Sequence, residues 1–418
     1  IKMDKILTFI VNEYNEILLL KGSKNDLQFK KSFWYVVTGG CEKYDLNREE
    51  TVKREIKEET GIDNIKDIFY LNWIFKYTSL GIKCTEYAYI TFVQKEKIIL
   101  NEENIDYKWC NKEEFLEMLR THGITGLGGS DFPTFIKYKI CDNYKCLLVN
   151  GVECEPFVTA DYALMKEKTD EILESIDAIL EIMNIKEAYI AINEEYTDVI
   201  NIFNKHLGTY PNIKLSLVRN GYPNGWERNT IDEVFGLKYK KYPTEIGILV
   251  SNVSTIYAIY EMLKYNRPLT ERVITITGPS IKTPSNVKVK IGASINEMID
   301  NIGGYKKLNK PLLIAGGPMM GIPTDELIVT KDLNCVIVME DNFAKPTECI
   351  SCGKCASVCP ANLIPILIKQ NINDISILKK LKCTECIECG LCSYICPAKI
   401  ELREYVKEAK NKLRTEAK

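Results

Sequence analysis

Two cysteine runs near the end of the sequence constrain this chain more than anything else in it. Cys349, Cys352, Cys355 and Cys359 are followed by Pro360, and Cys386, Cys389, Cys392 and Cys396 are followed by Pro397. Each run reads C-x2-C-x2-C-x3-C-P, the spacing of a chain that wraps a pair of [4Fe-4S] clusters. Three thiolates so close in sequence converge on one face of a cube, and the proline turns the backbone away without offering an N–H. In this arrangement the fourth cysteine of each run crosses over. Cys349, Cys352, Cys355 and Cys396 are therefore expected to hold one cluster, and Cys386, Cys389, Cys392 and Cys359 the other. Paired clusters move single electrons, so this part of the chain reads as an electron carrier.

The plainer readings of so many cysteines fail on spacing. A disulfide framework suits a short secreted chain, whereas this one has 418 residues and 16 cysteines. Its start at Ile1-Lys2-Met3 offers no apolar leader, so a reducing cytoplasm is the expected setting. Zinc sites use separated cysteine pairs, not two runs of four that each end in Cys-Pro. Cys383 stands three before Cys386, but the terminal x3-Cys-Pro fixes the register and leaves Cys383 as a spare, buried thiol.

Composition sets the remaining bounds. The length allows two or three cores, and a formal net charge of -2 offers no basic field for nucleic acid or an anionic bilayer. No apolar run approaches the roughly 18 residues that span a membrane, which leaves peripheral attachment to a membrane complex open. The two histidines, His122 and His206, read as ordinary surface or structural residues.

Along the chain the chemistry changes in steps. Residues 1–120 alternate strand-like runs such as Ile6–Val11 and Ile17–Leu20 with one strong helix near 48–60. Residues 121–268 alternate short apolar runs (Cys146–Val149, Ala188–Ile192, Ile246–Val250) with helical stretches, the pattern of a parallel α/β sheet. Residues 269–342 are rich in β-branched residues (Val273–Thr277, Val287–Ile291) with one helix, a small α+β module. Residues 343–418 hold the cysteine runs, joined by a helical stretch at 361–382. The fold class is thus multidomain, mixed α/β and α+β.

The helix near 48–60 carries the second candidate site. Asn47, with Glu50 three residues later, reads as a cap and its reciprocal partner, and Gly61 is placed to end the helix. Glu55, Glu58 and Glu59 lie at i, i+3 and i+4, so their carboxylates share one face. Such crowding favours a hard divalent cation, Mg²⁺ or Mn²⁺, bridging to a pyrophosphate; a solvated acidic face is the alternative for the triplet alone. Gly40, Arg54, Glu55, Ile56, Glu58, Glu59, Gly61 and Ile62 resemble the Nudix box, G-x5-E-x7-R-E-U-x-E-E-x-G-U. Phe33–Gly39 looks like the strand that enters it, and Glu102-Glu103 ahead of Trp109 resembles the later acidic segment of such domains. The resemblance covers residues 3–119 and implies an α/β/α sandwich. It also implies metal binding by Glu55, Glu58 and Glu59, one of which helps to activate water, with Arg54 orienting a glutamate. Substrates would be nucleoside diphosphates linked to another group. Leu46 departs from the box, standing where its first glutamate belongs.

Between these sites runs a glycine-rich loop, Gly126-Leu127-Gly128-Gly129-Ser130-Asp131, of the kind whose backbone N–H groups close on a phosphate or a flat ring. A tight turn would also need these glycines. Asn150–Pro156, Gly221–Glu227, Ser251–Thr255 and Gly316–Gly321 make the pattern more specific. With the cysteine runs they resemble the RnfC family of electron-transfer proteins and, more distantly, the FMN- and NADH-binding subunit of respiratory complex I. Within RnfC-like proteins the likeness is strongest to PrdC, the type associated with clostridial proline reductase. The resemblance runs from about His122 to the end of the sequence. It implies a Rossmann-like flavin domain at 121–268, a β-grasp-type (SLBB-like) module at 269–342 and a dicluster ferredoxin-like domain at 343–418. By that likeness Gly126, Gly128, Gly129, Lys137, Asn150, Glu153, Gly225, Glu227, Asn252 and Thr255 line an FMN pocket. Lys137 would meet the phosphate, and Glu155 would face the nicotinamide nucleotide. Asp131 departs from the pattern, standing where the related loop carries a third glycine.

Asn111–Arg120 reads as one amphipathic helix running straight into His122-Gly123, so the Nudix-like and flavin-like parts share a junction without a linker. The sequence reading is a cytoplasmic electron-transfer protein, free or peripheral to a membrane. Electrons would pass from NADH through FMN and two [4Fe-4S] clusters to a redox partner, either proline reductase or an Rnf-type complex. A metal-dependent nucleoside-diphosphate pyrophosphohydrolase with the rest as scaffold is the competing class, and a cluster-bearing adaptor without flavin is the third.

Overall fold

The structure is a computed structural model describing residues 2–14, 16–22, 34–79, 82–141, 143–307, 310–324, 327–341 and 344–416. Phe33 and the expected boundary at 342–343 lie outside the described residues. The chain divides into two compact units that do not follow sequence order. The first comprises 1–151, 164–217 and 237–270, and the second comprises 152–163, 218–236 and 271–418.

The first unit holds two sheets. In the seven-stranded one, Lys2–Val11 lies parallel to Ile82–Val93 and antiparallel to Val37–Gly40, while Ile82–Val93 turns back against Ile65–Ser79. The helix Arg48–Thr60 lays Val52 and Ile56 on Ile6, Ile10, Leu18 and Val37 to close the core. Asn47 accepts from the Glu50 N–H at 3.0 Å, and Gly61 ends the helix in the left-handed region at φ 72°. The reciprocal half of the expected cap differs, because the Glu50 carboxylate turns to Lys53 at 2.9 Å.

The second sheet has four strands in the order Ile213–Val218, Glu187–Asn193, Cys146–Gly151 and Ile248–Asn252. The inner pairs run parallel, as continuous apolar runs predict. The last strand opens at Ile248, not Ile246. Pro243–Ile246 forms a 3-10 turn, and Gly247 at φ 77° redirects the chain. Helix Lys112–Thr121 sets the Phe115 ring 6.0 Å from that of Tyr138.

In the second unit a five-stranded sheet runs Ser285–Lys290, Glu271–Thr277, Cys335–Glu340, Pro311–Ala315, Ile322–Thr324. Helix Ile295–Asn301 packs Ile295 and Ile299 against Ile274, Ile276 and Val336. The cysteine segment beyond it is helical. The stretch expected at 361–382 breaks into Pro365–Gln370 and Ile375–Lys380, because Asp374 caps the second helix by accepting from the Ile377 N–H. The terminal helix Leu402–Glu416 buries Val406, Ala409 and Leu413 on Leu363, Ile368 and Leu378.

Candidate metal and cofactor sites

The duplicated cysteine run is a duplicated backbone. Ser351, Gly353 and Asn362 adopt left-handed φ of 55°, 73° and 53°, and their counterparts Glu388, Gly390 and Lys399 adopt 60°, 80° and 55°. These kinks coil each run so that its cysteines turn inward, and a short helix follows each glycine, Lys354–Ser357 and Leu391–Tyr394. In both runs a backbone N–H donates to the first cysteine, Ser351 to Cys349 Sγ at 3.4 Å and Glu388 to Cys386 Sγ at 3.3 Å.

Cys359 stands with the other run. Together with Cys386, Cys389 and Cys392 it lines a cavity of about 380 Å³, open mouth included, which Arg403, Leu363 and Val406 also border. Leu363 donates its N–H to Cys359 Sγ at 3.3 Å. Burial pushes the Cys392 thiol up to about 12 and also raises Cys386 and Cys389. Four thiols in one polar-edged hollow, with backbone donors already aimed at sulfur, fit a cube of iron and sulfide that draws off their protons. Across the repeat, Cys396 packs with Cys355 against Ala398, Ile400 and Leu402, while Cys349 and Cys352 are exposed. Among the described residues no three metal-binding side chains converge on a point that suits a single ion. Cys383 is fully buried and donates its thiol to the Leu378 carbonyl at 3.2 Å, as a structural thiol does.

Three groups near this cavity escaped the sequence reading. Lys410, 7 % exposed, donates to the Cys386 carbonyl at 2.8 Å and pairs with Glu388. The Tyr222 phenol donates to the Cys389 carbonyl. Arg403 lines the hollow itself, and its place is readable only by aligning the two halves of the repeat.

On the Nudix-like helix, Arg54 is the hub. Its Nη1 meets Glu55 at 2.9 Å and Glu58 at 3.1 Å, and its Nη2 donates to the Gly40 carbonyl at 2.8 Å. A Cβ on Gly39 would fall 1.8 Å from the Glu55 carboxyl carbon, so glycine is what lets Glu55 lie along this strand. Glu59 turns inward, accepting from Tyr35 Oη at 3.2 Å and Asn104 Nδ2 at 3.3 Å. Burial pushes its carboxyl up to about 8, with Glu55 and Glu103 adding to the shift. Burial also raises Glu55, against the pull of Arg54. Glu58 is half-exposed. Leu46 is 92 % exposed, and the carboxylate missing there comes from its neighbour: Asp45 takes Arg54 Nε and Nη2 at 3.2 and 3.1 Å. Sequence reasoning missed Asp45 because the box pattern looks one residue later.

In the first unit the glycine loop sits against the start of helix Val253–Tyr265. Leu127 donates its N–H to Thr255 Oγ1 at 2.9 Å, and Asn252 Nδ2 reaches the Asn150 carbonyl at 3.4 Å. A Cβ on Gly128 would come within 3.2 Å of the Asn252 side chain, and Gly129, at φ 94°, has open space above it. Asp131 adopts φ 47°, so it follows the left-handed path expected of the glycine it replaces. Gly126, Gly128, Asn150, Asn252 and Thr255 are thereby gathered, and Lys137 lies on the next helix, Thr134–Lys139. This cradle of small residues and backbone donors fits a phosphate-bearing flat ring.

Glu153, Glu155, Gly225 and Glu227 belong to the second unit. Glu153 accepts from the N–H groups of Asp161 and Tyr162, both at 3.0 Å, and burial pushes it up to about 8. Glu155 accepts from Met319 and Met320 N–H, both at 2.8 Å, and so pins the Gly316–Gly321 loop. Gly225 lies where a Cβ would strike the Val152 carbonyl at 2.2 Å, and Glu227 opens helix Glu227–Phe235.

Known families match the same segments. Residues 2–124 match the NUDIX domain, 119–261 the Nuo51 FMN-binding domain, 273–323 the SLBB domain and 348–400 the 4Fe-4S dicluster domain. The chain resembles RnfC. It is 33% identical over 269 residues to the RnfC component of the ion-translocating oxidoreductase complex of Pectobacterium atrosepticum, covering 62% of this chain and 39% of that one. It is also 33% identical over 263 residues to the corresponding component of the Na(+)-translocating ferredoxin:NAD(+) oxidoreductase complex of Acetobacterium woodii, covering 61% and 59%. The chain thus spans between about two fifths and three fifths of these RnfC-like relatives. An NAD+-reducing [NiFe]-hydrogenase in the H2-reduced state shares the fold at a TM-score of 0.52 and 13% identity, over 73% of this chain and 61% of that chain. The protein is a mixed α/β multidomain chain with Nudix, flavin-type, SLBB and dicluster domains. Among the described residues no helix is long and apolar enough to cross a membrane.

Proposed function

We propose that this chain is an electron-transfer protein that takes electrons from NADH through FMN and passes them through two [4Fe-4S] clusters to a partner protein. The observation that carries the reading is the meeting of Cys359 with Cys386, Cys389 and Cys392 round one hollow, which the crossed dicluster spacing requires. When bound, FMN splits a hydride into single electrons and the clusters relay them one at a time. The residues of the chain hold and shape those sites. Gly126, Gly128 and Gly129 leave room for a ring and its phosphate, Asn252 and Thr255 brace the loop, and Lys137 supplies a cation for the phosphate. Cys349, Cys352, Cys355 and Cys396 form the exposed set, suited to the exit. Similarity to components of membrane complexes supports a peripheral, cytoplasmic place beside an Rnf-type complex, and the proline reductase link rests on the sequence resemblance alone. An anaerobic preparation tests this: about eight irons and matching sulfide per chain, a flavin spectrum, and bleaching by NADH. Iron without flavin removes the NADH step and leaves a carrier, and a chain without iron removes the carrier.

A second activity is favoured by one observation, the intact Arg54 hub between Glu55, Glu58 and Asp45. Glu55, Glu58 and Glu59 would hold Mg²⁺ or Mn²⁺ against a nucleoside diphosphate, and Arg54 keeps Glu55 and Glu58 in register. The test is Mg²⁺-dependent phosphate release from nucleoside diphosphate derivatives, lost in Glu58→Gln.

A further inference from the structure

The two halves of the cysteine repeat are not electrostatically equal. Each run leads, after its left-handed Asn362 or Lys399, into a helix, Pro365–Gln370 in the first half and Leu402–Glu416 in the second. The second residue of the first helix is Ile366, which packs with Cys355, Cys392 and Cys396. The second residue of the other helix is Arg403, on the wall of the hollow formed by Cys359, Cys386, Cys389 and Cys392. An apolar side chain thus stands at one site and a guanidinium at its repeat-mate.

Arg403 is held without being satisfied. Its side chain is 13% exposed, its backbone N–H donates to Ser393 Oγ at 2.9 Å, and its Nη1 lies 3.9 Å from the exposed Glu404. Its Nε–H is buried with no acceptor. A buried guanidinium donor left open costs about 1–3 kcal/mol, so such a group wants an acceptor that the protein alone does not provide. The other charges on this hollow are Lys410 and Glu388, which pair with each other. Glu155, whose carboxylate is fixed by the Met319 and Met320 N–H groups, and Cys389 both feel the Arg403 charge. Arg403 is the uncompensated cation of the site among the described residues.

We propose that Arg403 tunes the cluster bound by Cys359, Cys386, Cys389 and Cys392, donating its Nε–H to a cluster or cysteinyl sulfur and raising that cluster's reduction potential. This rests on the dicluster reading above. Adding one electron to a cluster adds one negative charge and breaks no bond. A fixed cation and an N–H···S bond stabilise the reduced form more than the oxidised one. The other cluster, beside Ile366, lacks this bias. The electron on the pair therefore resides preferentially on the Arg403 side, and Arg403 is a positioning residue for charge, not a ligand.

The experiment is an EPR-monitored redox titration of the anaerobically purified full chain, with dithionite as the one-electron donor, comparing wild type with Arg403→Met, Arg403→Gln and Arg403→Lys. The expected result is that one of the two cluster signals in Arg403→Met falls by at least tenfold in its reduction equilibrium, about 59 mV for a one-electron couple. The other signal stays in place, Arg403→Gln lies with the methionine variant, and Arg403→Lys recovers most of the shift. Unchanged potentials in an Arg403→Met protein with full iron overturn the proposal and leave the dicluster reading intact. Loss of half the iron in the methionine and glutamine variants, with Arg403→Lys fully loaded, supports a charge requirement at that cluster. Loss in all three assigns Arg403 a purely structural role and also overturns it. A wild-type chain without iron sinks the dicluster reading itself, a separate outcome.

Discussion

Asp45 grips Arg54 with both carboxylate oxygens, at 3.2 Å to Nε and 3.1 Å to Nη2, and thereby fills the role that the exposed Leu46 cannot. The pair is nearly closed to solvent, with Asp45 6% and Arg54 19% exposed at the side chain. Arg54 holds the Asp45 carboxyl down to about 2, against its ordinary 3.8. Its stabilisation is therefore full above about pH 4 and is lost as pH falls through about 2. Asp45→Asn should cost about 2 kcal/mol at pH 7. The gap to wild type should narrow on acidification, as chemical denaturation at pH 7, 4 and 2.5 would show. A gap independent of pH would contradict the ion-pair account.

A second titration runs the other way. Asp177 lies on the buried face of helix Thr169–Ile182, 7 % exposed, and burial pushes it up to about 8, with Glu181 and Glu174 adding. Between about pH 4 and pH 8 the unfolded chain gives up this proton and the folded chain keeps it, so stability falls as pH rises. Asp177→Asn should raise the thermal midpoint, by little at pH 5 and by the equivalent of about 2 kcal/mol at pH 8. Equal midpoints at pH 8 would rule this out.

Gly353 and Gly390 occupy the same place in the repeat but meet different neighbours. A Cβ on Gly353 finds nothing within 4 Å, whereas one on Gly390 would fall 2.1 Å from the Met319 carbonyl oxygen. Gly353→Ala should cost only the left-handed backbone penalty, about 1–2 kcal/mol, and keep its full iron. Gly390→Ala should lose iron from the site of Cys386, Cys389 and Cys392. Iron content per chain separates the two, and equal behaviour would mean that Met319 yields.

Crossed ligation has its own signature. Cys359→Ala should remove the same EPR signal as Cys389→Ala, although Cys359 belongs to the other run. Cys396→Ala should instead pair with Cys352→Ala. Cys383→Ala should leave iron and both signals unchanged and lower stability by about 1 kcal/mol.

The sequence carried the identity of the sites because their chemistry is local. Cysteine spacing implied the two cluster sets, the run from Arg54 to Gly61 implied the glutamate helix, and Asn47 and Gly61 marked its ends. Parallel strands were legible at Cys146–Val149 and Ala188–Ile192 as unbroken apolar runs. Where a turn competed with a strand, as at Gly247, the pattern misplaced the boundary, since a left-handed residue overrides the apolar run before it.

What only tertiary structure decided are the partners of groups far apart in the chain. Pattern could not say that Asp45 replaces the glutamate missing at Leu46, because either residue satisfies the composition and only packing puts a carboxylate on Arg54. Nor could it place the Glu155 carboxylate on the Met319 and Met320 amides, or the Tyr222 hydroxyl on the Cys389 carbonyl. Spacing fixes which thiols are near one another along the chain, whereas charge and hydrogen bonding at sulfur depend on what folds back over them. Arg403 is the clearest case: an ordinary helix residue in sequence, it becomes the open donor of a buried hollow only once Leu402–Glu416 packs across the second cysteine run.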